Sequence, residues 1–101
     1  MSAELHLDLV EGASGLRLRV VGEVDLSNVG RFERELSAGV DEGVALVVDL
    51  DGVSYMDSAG IAALFARARR GRLRVVAGPD SVIGPLLRVT RLGEVVPVEP
   101  A

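Results

Sequence analysis

A chain of 101 residues of which 49% are apolar has the size and content for one continuous core, so residues 1–101 are read as a single domain. The absence of cysteine excludes a disulfide framework and a thiolate metal site, and a formal charge of −4 with only three aromatic residues argues against a nucleic-acid partner. No basic segment leads into an apolar run at Met1-Ser2-Ala3-Glu4, and no apolar stretch approaches the ~20 residues that cross a bilayer, so a cytoplasmic chain without direct membrane insertion is expected.

From Glu4 to Val10, Leu5, Leu7 and Leu9 alternate with His6 and Asp8, the period of a strand with one wet face. After the turn signal Gly12-Ala13-Ser14-Gly15, Leu16, Leu18 and Val20 face inward and Arg17 and Arg19 outward, which predicts an antiparallel hairpin. Residues 23–28 lead into a helix that Ser27 or Asn28 is placed to cap, with Val29, Phe32, Leu36 and Val40 as its buried stripe and Gly39 and Gly43 closing it. Val44 to Val48 is apolar without alternation, as in a central strand covered on both faces.

Asp49, Asp51 and Asp57 are then expected in the connection to a second helix, with Asp51-Gly52 as a turn. That helix begins near Ser58, and Ile61, Leu64, Phe65 and Ala68 recur at helical spacing. Arg67, Arg69 and Arg70 suit the negative end of its dipole, and with Arg72 and Arg74 they read as a solvated helix end and strand face. A strand at Leu73 to Ala77 follows. The next helix, within Pro79 to Leu92, should start its regular part near Pro85, because proline fits a first turn and not a helix interior. Val95 to Val98 is a last short strand in which Pro97 suits an edge or an end.

This order defines an α/β fold: a single small, mainly parallel sheet with an antiparallel first strand at or near an edge, packed with helices. Ligands of such sheets bind beyond the carboxyl ends of the strands. Three polar clusters fall there, Gly22-Glu23-Val24-Asp25, Ser27-Asn28 and Tyr55-Met56-Asp57-Ser58-Ala59-Gly60. Ser58 is expected at the N-cap of the second helix, where unpaired amides and the positive dipole end favour a negative group.

The run Val47 to Ile61, with Asp57-Ser58-Ala59-Gly60 at its heart and Gly22-Glu23-Val24-Asp25 before it, resembles the STAS domain family, and within it the bacterial anti-sigma factor antagonists. The resemblance spans roughly residues 4 to 98. It implies a partner-switching protein: the unphosphorylated antagonist binds an anti-sigma factor that is a serine kinase with an ATP-binding fold and so frees a sigma factor. Phosphorylation on Ser58 breaks that complex, and a serine phosphatase acting on phospho-Ser58 restores it. The same resemblance implies a partner-binding surface of Asp25, Ser27, Asn28, Asp57, Ser58, Ala59, Gly60, Ile61 and Ala62, with the helix start from Gly60 to Ala62 exposed. The alternative within this fold is a scaffold or interaction subunit of a membrane lipid-transport or anion-transport complex.

The chain departs from the family pattern at Ala59, where a second hydroxyl residue is common, in a helix after Ser58 that is about one turn short, in Gly84-Pro85, and in lacking a terminal helix after Val98. No enzyme is expected. The one histidine, His6, is predicted on the wet face of the first strand, far from Ser58, and no Gly-x-Ser-x-Gly elbow or glycine-rich phosphate loop with its lysine occurs. Asp49 and Asp51 are expected to satisfy loop amides and not to bind Mg²⁺, so no cofactor or metal is expected.

Overall fold

A computed structural model describes residues 4–100. Strands β1 (Leu5–Gly12) and β2 (Gly15–Val24) form the hairpin, and α1 (Val29–Leu36), β3 (Leu46–Met56), α2 (Ser58–Ala68), β4 (Leu73–Val76) and α3 (Gly84–Val89) follow. A short 3₁₀ turn, Leu92–Glu94, and β5 (Val98–Glu99) complete the chain. The sheet order is β1-β2-β3-β4-β5, with only the β1–β2 pair antiparallel.

Because the parallel strands add in one direction, crossovers of a single hand place every helix on the same face of the sheet. The core is accordingly one cluster between that face and the helices, built around the fully buried Leu18, Val20, Phe32, Leu46, Val48, Leu50, Leu64 and Val75. Each such side chain contributes about 1.5–3 kcal/mol on burial. The opposite face carries the Arg17–Asp49 ion pair at 3.0 Å and the Arg74–Glu99 pair. Val47 lies on it only half-buried, so the expectation of a β3 covered on both faces is corrected.

β3 is also longer than its sequence implies. The run from Asp49 to Met56, expected as a connection with a turn at Asp51-Gly52, is strand throughout. Its buried residues are Leu46, Val48 and Leu50, then Val53, then Met56, so the inward step lengthens from two residues to three. Two register shifts against β2 cause this, as bulges insert extra residues and re-aim the strand. Their sum brings Met56 opposite Val24, so that Asp25 and Asp57 leave the sheet side by side.

Other expectations shift by less. α1 ends at Leu36, leaving Val40 in the turns beyond it, and Pro85 stands in the first turn of α3 as expected. The last strand is Val98–Glu99, not Val95 to Val98, with Pro97 just before it at the sheet edge. Leu9 is 37% exposed, so β1 buries only its first half. His6 is exposed but pairs with Val21, which places it toward the carboxyl end of β2 and not far from the rim.

Arg67 overturns the reading of a wholly solvated helix end. It is 3% exposed, and its Nε donates to Leu36 O at the end of α1 (2.7 Å) while Nη2 donates to Arg72 O ahead of β4 (3.4 Å). Burial, and then the nearby charge of Arg70, push its guanidinium below its ordinary pKa. Among the described residues no helix is long and apolar enough to cross a membrane.

Candidate functional site

The rim at the carboxyl ends of β2 and β3 is built by two aspartates. Asp57 N donates to Val24 O at 3.1 Å, locking the two strand ends together. Its carboxylate then turns in two directions. Oδ1 accepts from Ala59 N (2.9 Å) and Gly60 N (3.4 Å), capping α2, and Oδ2 accepts from Leu26 N (3.3 Å) in the loop before α1. Asp57 is therefore the N-cap that Ser58 was expected to be, and Ser58 is the first helical residue.

Asp25 organises the other loop. Its Oδ1 accepts from Ser27 N at 2.9 Å and from the Ser27 hydroxyl. Asn28 braces the loop from inside, since Oδ1 accepts from Asp25 N (3.0 Å) and Nδ2 donates to Glu23 O (2.9 Å). Asn28 occupies the N-cap position of α1, but its side chain makes no cap bond there. These bonds hold the backbone of residues 25–28 in place and leave the Leu26 side chain 79% exposed.

The structure thus brings together Asp25, Ser27, Asp57, Ser58 and Ala59 on one rim, with Ala62 exposed one turn along α2. Three expected contact residues do not belong to that surface. Asn28 is 7% and Ile61 7% exposed, and Gly60 is buried, so the expectation of an exposed Gly60–Ala62 stretch holds for Ala62 alone. Gly60 is required by a close approach: a Cβ there would lie 2.5 Å from Met56 Cγ and 3.0 Å from Val24 Cγ1. Ile61 belongs to the core cluster.

Beside these residues the rim exposes the large side chains of Leu26 and Tyr55, the latter 49% exposed at the end of β3. The signal for Leu26 was present: an apolar residue between Asp25 and Ser27, outside any helical or strand period.

The hydroxyl of Ser58 is exposed and has no hydrogen-bond partner among the described residues. Ser14 is also exposed and unbonded, but it lies in the β1–β2 turn at the opposite end of the sheet from this rim, and the other described serines are occupied or hidden. Ser27, Ser37 and Ser54 donate to Asp25, Glu33 O and Gly22 O, and Ser81 is 9% exposed. A group added at Ser58 meets solvent on one side and the positive end of α2 on the other. Asp49 pairs with Arg17 and accepts from Asp51 N at 3.0 Å, and Asp51 accepts from Gly78 N at 2.8 Å. The acidic residues of β3 are thus dispersed over separate partners, and among the described residues no cluster of three His, Cys, Asp or Glu is arranged to hold a metal.

A family model described as Mlab, STAS domain, matches residues 7–97. The chain belongs to the STAS domain family. A curated relative, an anti-sigma F factor antagonist of Lysinibacillus sphaericus, is 31% identical over 70 residues, which cover 67% of this chain and 58% of that protein. Among solved structures, an anti-sigma factor antagonist from Mycobacterium paratuberculosis aligns with a TM-score of 0.85 at 24% identity, covering 97% of this chain and 87% of the other. The antagonist SpoIIAA aligns in its unphosphorylated form (TM-score 0.72, 20% identity, 92% and 87% covered). The phosphorylated form of Bacillus SpoIIAA aligns at 0.66 and 20% identity, with 94% and 90% covered. These likenesses establish the α/β fold, a five-stranded mixed sheet with helices.

Proposed function

We propose that this chain is a cytoplasmic anti-sigma factor antagonist that works by binding and not by catalysis. Its unphosphorylated form binds an anti-sigma factor serine kinase, and phosphorylation of Ser58 breaks the complex until a phosphatase removes the group. The observation that carries this reading is the unoccupied, exposed Ser58 hydroxyl at the start of α2, beside the capping carboxylate of Asp57 and the Asp25 loop. The docking surface comprises Asp25, Leu26, Ser27, Asp57, Ser58, Ala59 and Ala62, with Leu26 as its apolar anchor.

The physics of the switch follows from the two environments of one side chain. A phosphate adds about two negative charges at neutral pH. Within the fold that charge faces a helix N-terminus, which favours it. At a packed interface the same charge stands beside Asp57 and Asp25 and loses its water, which costs several kcal/mol. The relatives described as anti-sigma factor antagonists, one of them solved in a phosphorylated form, support this reading.

The test is to incubate the protein with ATP and purified anti-sigma kinases from the same genome, and to map the modified peptide. Phosphate on Ser58, lost in Ser58→Ala, is expected. Stoichiometric phosphate on Ser27 or Ser81 with Ser58 unmodified would refute the assignment.

A further inference from the structure

A second concavity, of about 490 Å³, lies beyond the carboxyl end of β4, where Ala77 and Pro79 leave the sheet. Leu87 of α3 and Val98 of β5 form its apolar walls. Ligands of parallel sheets bind at this end, and the volume falls within the roughly 300–1,000 Å³ of small-molecule sites.

The charges around the groove are unequally committed. Arg91 is paired with Glu94, Nε to Oε2 at 2.6 Å, and Glu99 is paired with Arg74. Arg88 has neither an ion pair nor a side-chain hydrogen bond among the described residues. Its Nη1 sits 3.6 Å from where a Cβ on Gly84 would stand, so the guanidinium lies back over the first turn of α3, along the groove wall. Arg91 holds a left-handed backbone with φ 62°, fixed by Arg91 N donating to Arg88 O and Glu94 N donating to Arg91 O, both at 3.1 Å. A non-glycine residue in that conformation ends α3 sharply and keeps both arginines at the mouth.

What the walls omit narrows the ligand. No aromatic side chain lines the groove, so a nucleobase finds no ring to stack on, and the polar side chains there are Arg88, Arg91, Glu94 and Glu99, of which all but Arg88 are held in ion pairs. Apolar wall and one uncommitted cation remain. We propose that the groove binds an amphipathic anion: an aliphatic chain lying against Leu87 and Val98, with a carboxylate or phosphate head on Arg88. Charge complementarity selects this occupant over a neutral chain. The site uses no residue of the Ser58 rim and stands or falls independently of it.

The experiment is a two-dimensional amide NMR titration of the 101-residue protein with decanoate, decyl phosphate and decan-1-ol, each below its aggregation limit. Saturable shifts are expected at Gly78, Gly84, Leu87, Gly93 and Val98 with at least one of the two anions, and the anion bound more tightly identifies the head group. Arg88→Ala should weaken anion binding at least five-fold and leave decan-1-ol unchanged, in a spectrum that otherwise matches wild type. Equal binding of decan-1-ol, or anion binding indifferent to Arg88→Ala, would overturn the proposal. So would shifts scattered over the surface, no saturation with either anion, or concentration-dependent shifts of these same amides without ligand, which would show a second copy in the groove.

Discussion

Asp57 uses one carboxylate for two tasks, capping α2 through Oδ1 and holding Leu26 N through Oδ2. Asp57→Ala removes both, so urea unfolding should show a loss of about 1–2 kcal/mol, whereas Asp57→Asn, itself a good cap, should lose less than half of that. Because Asp57 and not Ser58 caps the helix, Ser58→Ala should lie within about 0.5 kcal/mol of wild type. Ser58→Asp should be as stable or slightly more so, since a carboxylate in the first helical turn contributes about 0.3–1 kcal/mol. If the proposed switch holds, calorimetric titration with the proposed anti-sigma partner should separate the two: Ser58→Ala retains affinity and Ser58→Asp loses several kcal/mol. Equal affinity for both variants would remove the switch. Leu26, 79% exposed, should behave as an interface anchor, with Leu26→Ala neutral for folding but weakening the complex by more than about 1 kcal/mol. A complex indifferent to Leu26→Ala would move the docking surface elsewhere on the rim.

At the scale of elements, α2 is fixed at both ends, by Gly60 against Met56 and Val24 and by Arg67 against the end of α1. Arg67 Nη1 is buried without a partner, so this guanidinium is not an ideal core group. Arg67→Ala should cost about 3 kcal/mol or more in chemical denaturation, because it opens a cavity and leaves Leu36 O unpaired. Arg67→Met keeps the apolar stem and removes the desolvated charge, so it should cost clearly less; an equal loss in both would mean that the hydrogen bond to Leu36 O dominates. The sequence reveals where Arg67 lies but not what it does: it follows Ile61 and Leu64 at three-residue steps on the buried stripe, yet arginine by type reads as solvated. β3 was obscured for a different reason. A strand is recognised by period two, and the bulges convert its second half to period three, where the polar Asp51, Ser54 and Tyr55 resemble a loop. The hairpin was legible because it rests on an unbroken period of two, and the parallel sheet because strands and helices alternate along the chain after it. The rim was legible in part: the residue pattern puts Asp25, Asp57 and Ser58 in the loops after the second and third strands, the family resemblance joins them into one surface, and the burial of Asn28, Gly60 and Ile61 depends on packing that neither encodes.

Across the whole molecule the sheet is unequally tied together. β2 and β3 share eight register pairs, whereas β4 and β5 share two. The segment from Gly78 to Pro100 is held to the sheet by Val75 N donating to Pro97 O (2.9 Å), Ala77 N donating to Glu99 O (2.8 Å) and Gly78 N donating to Asp51 Oδ1 (2.8 Å), together with the exposed Arg74–Glu99 pair. Its apolar attachment rests on Ile83, Leu87, Leu92 and Val96. An exposed ion pair adds at most about 1 kcal/mol, and few backbone bonds must break for this segment to lift away. Proteins open in such cooperative units below the global unfolding free energy. Native-state amide exchange should therefore find Val75 and Ala77 exchanging at least tenfold faster than Val20 and Val48, a gap of about 1.4 kcal/mol. Val75 makes the sharper case, because its side chain is 0% exposed, as is that of Val48. Burial alone predicts equal protection for the two, and a two-pair edge ladder predicts a gap. Val75 exchanging as slowly as Val48 would show that the packing of Leu87, Leu92 and Val96, and not the ladder, sets the cooperativity, and that the sheet opens as one unit from β1 to β5.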